Sequence, residues 1–89
     1  MGKRERTRHE IIQEMLHVTL QEQMISKTRM MQQAYINPNS FQRYFRYMLG
    51  NGYIVRCKQK TEKYMVTDAG RSLFEKLQEM NPLICKDDI

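Results

Sequence analysis

The fold is decided by the stretch NPNSFQRYFRYMLGNG, residues 37–52. Its start is typical of a helix N-terminus, because Asn37 is a good capping residue and Pro38 suits the first helical position, where an N–H would go unpaired. Its end is typical of a helix C-terminus, because Gly and Asn at residues 50–52 tolerate the left-handed backbone that closes a helix. The stretch therefore predicts a helix over residues 37–49.

That helix has two unlike faces. At about 100° per residue, Phe41, Tyr44, Phe45 and Met48 fall on one arc. The opposite arc carries amides, hydroxyls and two guanidinium groups but no carboxylate, and consists of Asn39, Ser40, Gln42, Arg43, Arg46 and Tyr47. Such side chains bond phosphates and the edges of base pairs. An ordinary solvated helix face has a similar composition, so the neighbouring segments have to decide between the two interpretations.

The segment before this helix predicts a second, shorter helix joined to it by a tight turn. Ser26 offers an N-cap for a helix over residues 27–34. Ile25, just before the cap, is expected to be a buried anchor that adds a very short strand, and residues 35–36 form the link. The inward-facing residues are expected to be Met30, Met31 and Ala34. Two short helices around a tight turn, the second basic on its outer face, predict a helix-turn-helix.

A first helix is predicted from about Arg4 to Leu20, where apolar residues recur at helical spacing over a wide arc. A stripe this wide must be buried against more than one neighbour, and one neighbour could be a second copy of the chain. The residues expected on the polar, surface side include His9, Gln13 and His17.

The pattern changes from helical to extended after Gly52. Residues 53–58 and 63–66 are rich in strand-forming side chains and are separated by the polar residues 59–62, which predicts a β-hairpin. Lysines in and beside its tip would either blunt an exposed strand edge or contact phosphate, and one residue can do both.

A last helix is predicted over residues 68–80, capped by Thr67 and ended by Asn81 and Pro82. Gly70 is expected to let this helix approach the hairpin closely. The buried arc is expected to consist of Ala69, Leu73, Leu77 and Met80.

The composition bounds the possibilities. The chain has 89 residues, 40% of them hydrophobic, which suits one folded domain over residues 1–89 with residues 1–7 and 82–89 as its flexible ends. Fifteen Lys and Arg against ten Asp and Glu give a net charge of +5, and a small domain with that balance is attracted to polyanions. No apolar run approaches the roughly 20 residues of a membrane span, and the N-terminus does not resemble a secretory signal. We therefore expect a cytoplasmic protein without a membrane partner.

The sequence contains no motif typical of a catalytic or metal-binding site. Cys57 and Cys85 form no CxxC pair and have no histidine at metal-ligand spacing, so they are expected to be free thiols. The sequence shows no paired carboxylates, no nucleophile with its base and no phosphate-cradling glycine loop. We expect a protein that is not an enzyme and needs no cofactor or metal.

Three stretches resemble a known family: SKTRMM at residues 26–31, FQRYF through LGNGYI at residues 41–54, and YMVTDAG at residues 64–70. They are similar to the small archaeal winged helix-turn-helix DNA-binding proteins, a group typified by ten-kilodalton chromatin-associated dimers. The fold class expected from this resemblance is α+β, with a three-helix core, a hairpin wing and a C-terminal helix.

The resemblance implies a homodimer that binds double-stranded DNA, with the third helix in the major groove and the wing on the flanking backbone. Similar proteins dimerise through a long C-terminal helix. Pro82 should end the last helix after about three or four turns, so any dimer here is expected to use the first helix, Phe74 and Leu83.

The working hypothesis is a transcriptional regulator or a chromatin-associated factor. The residues expected to reach base edges are Gln42, Arg43 and Arg46. Those expected to bond phosphates are Lys27, Asn39 and Ser40. Those expected along the neighbouring backbone or minor groove are Arg56, Lys58, Lys60 and Lys63. The alternative is a winged-helix module that docks another protein and has no specific DNA binding, since a fold does not fix a function.

Overall fold

The computed structural model describes residues 7–57 and 62–80. Its elements are, in chain order, α1 (Arg8–Glu22), α2 (Lys27–Ala34), α3 (Pro38–Gly50), β1 (Ile54–Cys57), β2 (Lys63–Val66) and α4 (Asp68–Met80). The two strands pair antiparallel, with Ile54 opposite Val66 and Cys57 opposite Lys63. This order confirms the winged helix-turn-helix predicted from the sequence. The flexible ends expected at residues 1–7 and 82–89 fall almost wholly outside the described residues.

Each helix begins where a polar side chain can cap its first turn. Thr7 and Glu10 form a capping box, in which each accepts a hydrogen bond from the other's backbone N–H at 3.1 and 3.0 Å. Helix α1 therefore begins at Arg8. The start predicted from the sequence, near Arg4, was wrong. Ser26 and Asn37 accept from Arg29 and Ser40 in the same way, as predicted.

The helix ends depend on backbone conformation. Helix α1 continues to Glu22, beyond the end predicted at Leu20, and the chain turns at Gln23, whose φ is 70°. Tyr35 ends α2 in the left-handed conformation, and its side chain is left 85% exposed. Non-glycine residues rarely adopt positive φ, so the tight turn between α2 and α3 carries local strain.

The core lies between the helices and the inner face of the hairpin. Its hub is Tyr64, whose backbone exchanges hydrogen bonds of 2.8 and 3.0 Å with Ile25. Ile25 is buried and forms an isolated bridge beside β2, which confirms the predicted very short strand. The wide apolar stripe of α1 is buried within the same chain, against α2, α4 and β2.

Several residues lie on the other side of their helix from the one predicted. Gln13, expected on the polar side of α1, is fully buried, and His17 is half-buried with its ring stacked on Phe74 at 6.0 Å. Ala69 and Met80, expected to be buried, are exposed. In α4 the buried arc is centred on Gly70, where the helix packs closely, and on Leu77, which leaves Ala69 and Met80 outside it and places Phe74 against His17 of α1.

Thr67 and Gly70 fasten α4 to the end of α3. The Thr67 hydroxyl accepts the Gly70 N–H at 3.1 Å and donates to the Gly52 carbonyl at 2.5 Å, and the Thr67 N–H donates to the Tyr53 carbonyl at 3.0 Å. A Cβ on Gly70 would overlap the Tyr53 carbonyl and stand 2.8 Å from Cγ1 of Val66. The close approach predicted at Gly70 is confirmed.

We predict that Gly70→Ala lowers the free energy of unfolding by about 1–3 kcal/mol, because the added methyl group overlaps rigid backbone. Gly50→Ala is the matched control, since nothing lies within 4 Å of the Cβ it would add. Alanine is also the better helix former, so the control should be neutral or more stable by up to about 1 kcal/mol. Urea unfolding of both variants measures the difference, and equal stabilities would contradict the packing at Gly70.

We also predict that Gln13→Met raises the free energy of unfolding by about 1–2 kcal/mol. Neither the Nε2 nor the Oε1 atom of Gln13 has a hydrogen-bond partner within the described part of the chain, and a buried amide without partners is costly. Gln21→Met is the control, because Gln21 is exposed on the same helix. A loss of stability in the Gln13 variant alone would mean that the buried amide is satisfied in solution.

Candidate nucleic-acid interface

Helix α3 presents a broad polar face to solvent. Its opposite face is fixed in the core by Phe41, Phe45 and Met48. The exposed residues of the polar face are Asn39, Gln42, Arg43, Arg46 and Tyr47. Since residues advance about 100° per position, Asn39 and Arg46 lie at the middle of this face.

The edges of the polar face meet different neighbours. Gln42 borders a groove shared with α2, where Lys27 and Thr28 form the opposite wall. Arg43 and Tyr47 lie on the other edge, beside the start of α1 and the side of α4. Ser40 is half-buried at this boundary, and its backbone N–H is bonded to the Asn37 side chain at 2.9 Å.

Lys27 is held beside α3 by an aromatic contact. Its Nζ atom lies 4.9 Å from the centroid of the Phe45 ring, close enough for a cation–π interaction. Because Phe45 is buried in the core, this contact places a positive charge at the first turn of α2, next to the polar face of α3.

Arg29, the other cation in this turn of α2, is paired with a carboxylate. Its Nε and one terminal nitrogen donate to the two oxygens of Glu22 at 3.2 and 3.0 Å. The hydrogen bond from Arg29 lowers the pKa of Glu22, with a smaller contribution from the charge of Lys63, and the same bond raises the pKa of Arg29. This ion pair joins the end of α1 to α2, so the guanidinium group of Arg29 is engaged within the protein.

On the hairpin, Arg56, one of the predicted backbone contacts, is held in an ion pair. A terminal nitrogen of Arg56 lies 2.8 Å from a carboxylate oxygen of Glu62, and both side chains are well exposed. Lys63 is half-buried. Lys58 and Lys60 lie outside the described residues.

The chain matches a family model described as winged helix-turn-helix over residues 5–84. It belongs to the winged helix-turn-helix family. A relative from Methanocaldococcus jannaschii, itself an uncharacterized protein, is 33% identical over 75 residues, which cover 84% of this chain and 73% of the relative. These matches confirm the family that the sequence motifs resemble.

Two solved structures share the winged-helix fold. Sso10a-2, a DNA-binding protein from Sulfolobus solfataricus, is 24% identical and superposes with a TM-score of 0.76 over 88% of this chain and 81% of its own. A MarR family transcriptional regulator from Silicibacter pomeroyi is 20% identical, with a TM-score of 0.65 over 88% of this chain and 62% of its own. At these identities the likeness establishes the fold.

The winged-helix domain thus brings together most of the predicted site residues that the structure describes. The exposed Asn39, Gln42, Arg43 and Arg46 share one region of α3, and the half-buried Lys27 lies beside it. Ser40 is half-buried at the edge of this region, and Arg56 and Lys63 lie apart from it on the hairpin. Tyr47 belongs to the same region but was left out of the predicted contacts, although its position on the polar arc was visible in the sequence.

Two further features of the described residues bear on the chemistry. Among residues 7–57 and 62–80, none of the helices combines the length and apolar character that a bilayer crossing requires. The same ranges contain no cluster of three or more His, Cys, Asp or Glu side chains suited to a metal ion. Cys57 is a free thiol, as predicted, and Cys85 lies outside these ranges.

Proposed function

We propose that this protein binds double-stranded DNA with α3 in the major groove, as a transcriptional regulator or a nucleoid-associated chromatin factor. The observation that carries the proposal is the exposed face of α3, where amide and guanidinium groups project from a helix whose other face is fixed in the core. That face has no carboxylate to repel phosphate.

The dimensions of α3 suit this role. A helix of 13 residues is about 20 Å long, and the major groove of B-DNA, about 12 Å wide, admits a helix. Arg43 and Arg46 have the bidentate geometry that reads guanine, and Gln42 has the amide that reads adenine. These three residues are the proposed base contacts.

Phosphate contacts would hold the helix in register. Asn39 and Ser40 in the first turn of α3, together with Lys27 in the first turn of α2, are the proposed phosphate contacts of the helix-turn-helix. On the wing, Arg56, Lys58, Lys60 and Lys63 are proposed to follow the adjacent backbone or minor groove. The net charge of +5 favours association with any duplex, and Sso10a-2, which shares the fold, is named a DNA-binding protein.

A homodimer is part of the proposal. The apolar stripe of α1, expected to help form a dimer, is already covered by the same chain. A dimer would instead use the half-buried Phe74 and Met80, which is 62% exposed at the end of α4. Leu83, the other expected contact, lies outside the described residues.

A second candidate function is docking to another protein. Val55 and Met65 are cross-strand partners, and both are exposed on the outer face of the hairpin. Met24 is exposed next to the bridge at Ile25, so a short apolar row crosses the sheet. A docking module would show only weak, uniform attraction to DNA that disappears as salt is raised.

We predict that Arg46→Ala weakens duplex binding by about 10- to 100-fold and relaxes sequence preference, because a bidentate base contact contributes about 1–3 kcal/mol of discrimination. Fluorescence anisotropy on a footprinted genomic site and on a scrambled duplex measures both effects at physiological salt.

Arg71→Ala is the matched control for this experiment. It removes the same charge from an exposed site on α4 that lines neither groove beside α3, so affinity should change by less than about 2-fold. Equal losses of affinity in the two variants would mean that binding depends only on net charge. Unchanged affinity in both variants would contradict the assignment of α3 as the DNA interface.

We predict that Glu62→Gln raises affinity for duplex DNA by about 2- to 10-fold, because it releases Arg56 from its ion pair and removes a negative charge from the wing. Glu75→Gln on α4 is the control with the same change in net charge. The gain should shrink as salt is raised, and an equal gain in both variants would mean that the wing does not approach the duplex.

A further inference from the structure

A cleft of about 360 Å³ opens on the other side of α3 from α2. Its floor is apolar and is made by Ile12 of α1 with Leu73 and Leu77 of α4. Ile12 and Leu77 are almost fully buried, and Leu73 is half-buried. The volume lies within the range of about 300–1,000 Å³ that small-molecule sites occupy.

The rim of this cleft is cationic. Arg8 and His9 project from the first turn of α1, and Arg43 lies across from them on α3. The positive end of the α1 dipole adds to their field. The carboxylate nearest in sequence is Glu10, which accepts the Thr7 N–H in the capping box and is not part of the lining.

The wall on the α3 side is aromatic. Tyr44 is half-buried and Tyr47 is exposed, and both line the cleft. Phenol rings offer flat apolar contact together with a hydroxyl group that can bond an anion. The cleft therefore joins an apolar floor, aromatic walls and a rim of positive charge.

We propose that this cleft binds a small organic monoanion with an aromatic body, with its carboxylate between Arg8 and Arg43 and its ring on the Ile12–Leu77 floor. A DNA phosphate diester would satisfy the two arginines but has nothing to place on that floor. The floor is what favours a small amphipathic anion over the nucleic acid itself.

The ligand would act on the proposed DNA contacts through Arg43. This step rests on the proposed function, in which Arg43 reads a base. A carboxylate paired with Arg43 withdraws that guanidinium from the groove, so ligand and duplex compete. Linkage requires that each lowers the affinity for the other by the same factor.

The direct test uses the full chain without DNA, with 2-naphthoate as the probe. Calorimetry should give a Kd of about 1 mM or tighter, and amide shifts in an NMR titration should centre on Arg8, Tyr44, Tyr47 and Leu73. The neutral alcohol 2-naphthylmethanol and the bare anion acetate should each bind at least about 10-fold more weakly, since each lacks half of the recognised chemistry.

Matched variants locate the site. Arg8→Gln should weaken 2-naphthoate binding by about 5-fold or more, whereas Arg71→Gln, the same change on α4 outside the lining, should leave it unchanged. Both positions are exposed, and thermal unfolding verifies that both variants fold. No binding at 5 mM, equal binding of acid and alcohol, equal loss in the two variants, or shifts away from the cleft would each overturn the proposal.

A second arm separates this inference from the proposed function. Saturating 2-naphthoate should weaken duplex binding of the parent protein by about 5-fold or more and have little effect on Arg8→Gln. If the protein does not bind duplex DNA at all while 2-naphthoate still binds in the cleft, the proposed function fails and the ligand site stands. If duplex binding is strong and unaffected by bound ligand, the ligand site stands but its coupling to DNA is overturned.

Discussion

The contact on which the fold depends is the edge-to-face packing of Tyr64 on Phe45, with ring centroids 4.9 Å apart and planes at 86°. Phe45 is in the middle of α3, and Tyr64 is the residue of β2 whose backbone bonds to Ile25 before α2. One pair of rings therefore joins the third helix, the wing and the approach to the helix-turn-helix. Aromatic pairs in this geometry contribute about 0.5–1.5 kcal/mol beyond the area they bury.

This packing explains why the outer face of α3 can serve recognition. The Phe41 ring stacks on Phe45 with centroids 5.3 Å apart, and the Nζ atom of Lys27 lies 4.9 Å from the centroid of the same Phe45 ring. The core side of α3 is thus fixed by Phe41, Phe45 and Met48, which holds the backbone positions of Asn39, Gln42 and Arg46 in a constant arrangement. A backbone that is rigid before binding loses less conformational entropy when it meets a partner.

Features set by a few neighbouring residues were predictable from the sequence. Ser26, Asn37 and Thr67 cap their helices through hydrogen bonds to residues three positions ahead, so sequence alone locates them. The fold class followed because these local signals agree with the apolar periodicity of α2, α3 and the hairpin.

Features set by distant contacts were not predictable. Gln13 is fully buried although its amide side chain is typical of a surface position, and the close approach of Gly70 to the Tyr53 carbonyl joins residues that are distant in the sequence. Arg56 is paired with Glu62 at the end of the hairpin where Cys57 lies opposite Lys63. The aromatic and cationic cleft beside Arg43 exists only where α1, α3 and α4 converge. None of these arrangements leaves a periodic signal in the chain.

The central claim is that the outward face of α3 meets the duplex, and amide chemical-shift mapping with a mixed-sequence DNA duplex at physiological salt tests it most directly. The account predicts that the largest shifts fall on α3 around Asn39, Arg43 and Arg46, with smaller ones at Lys27 and the wing. Shifts centred on Val55 and Met65, or no shifts at saturating duplex, would contradict it.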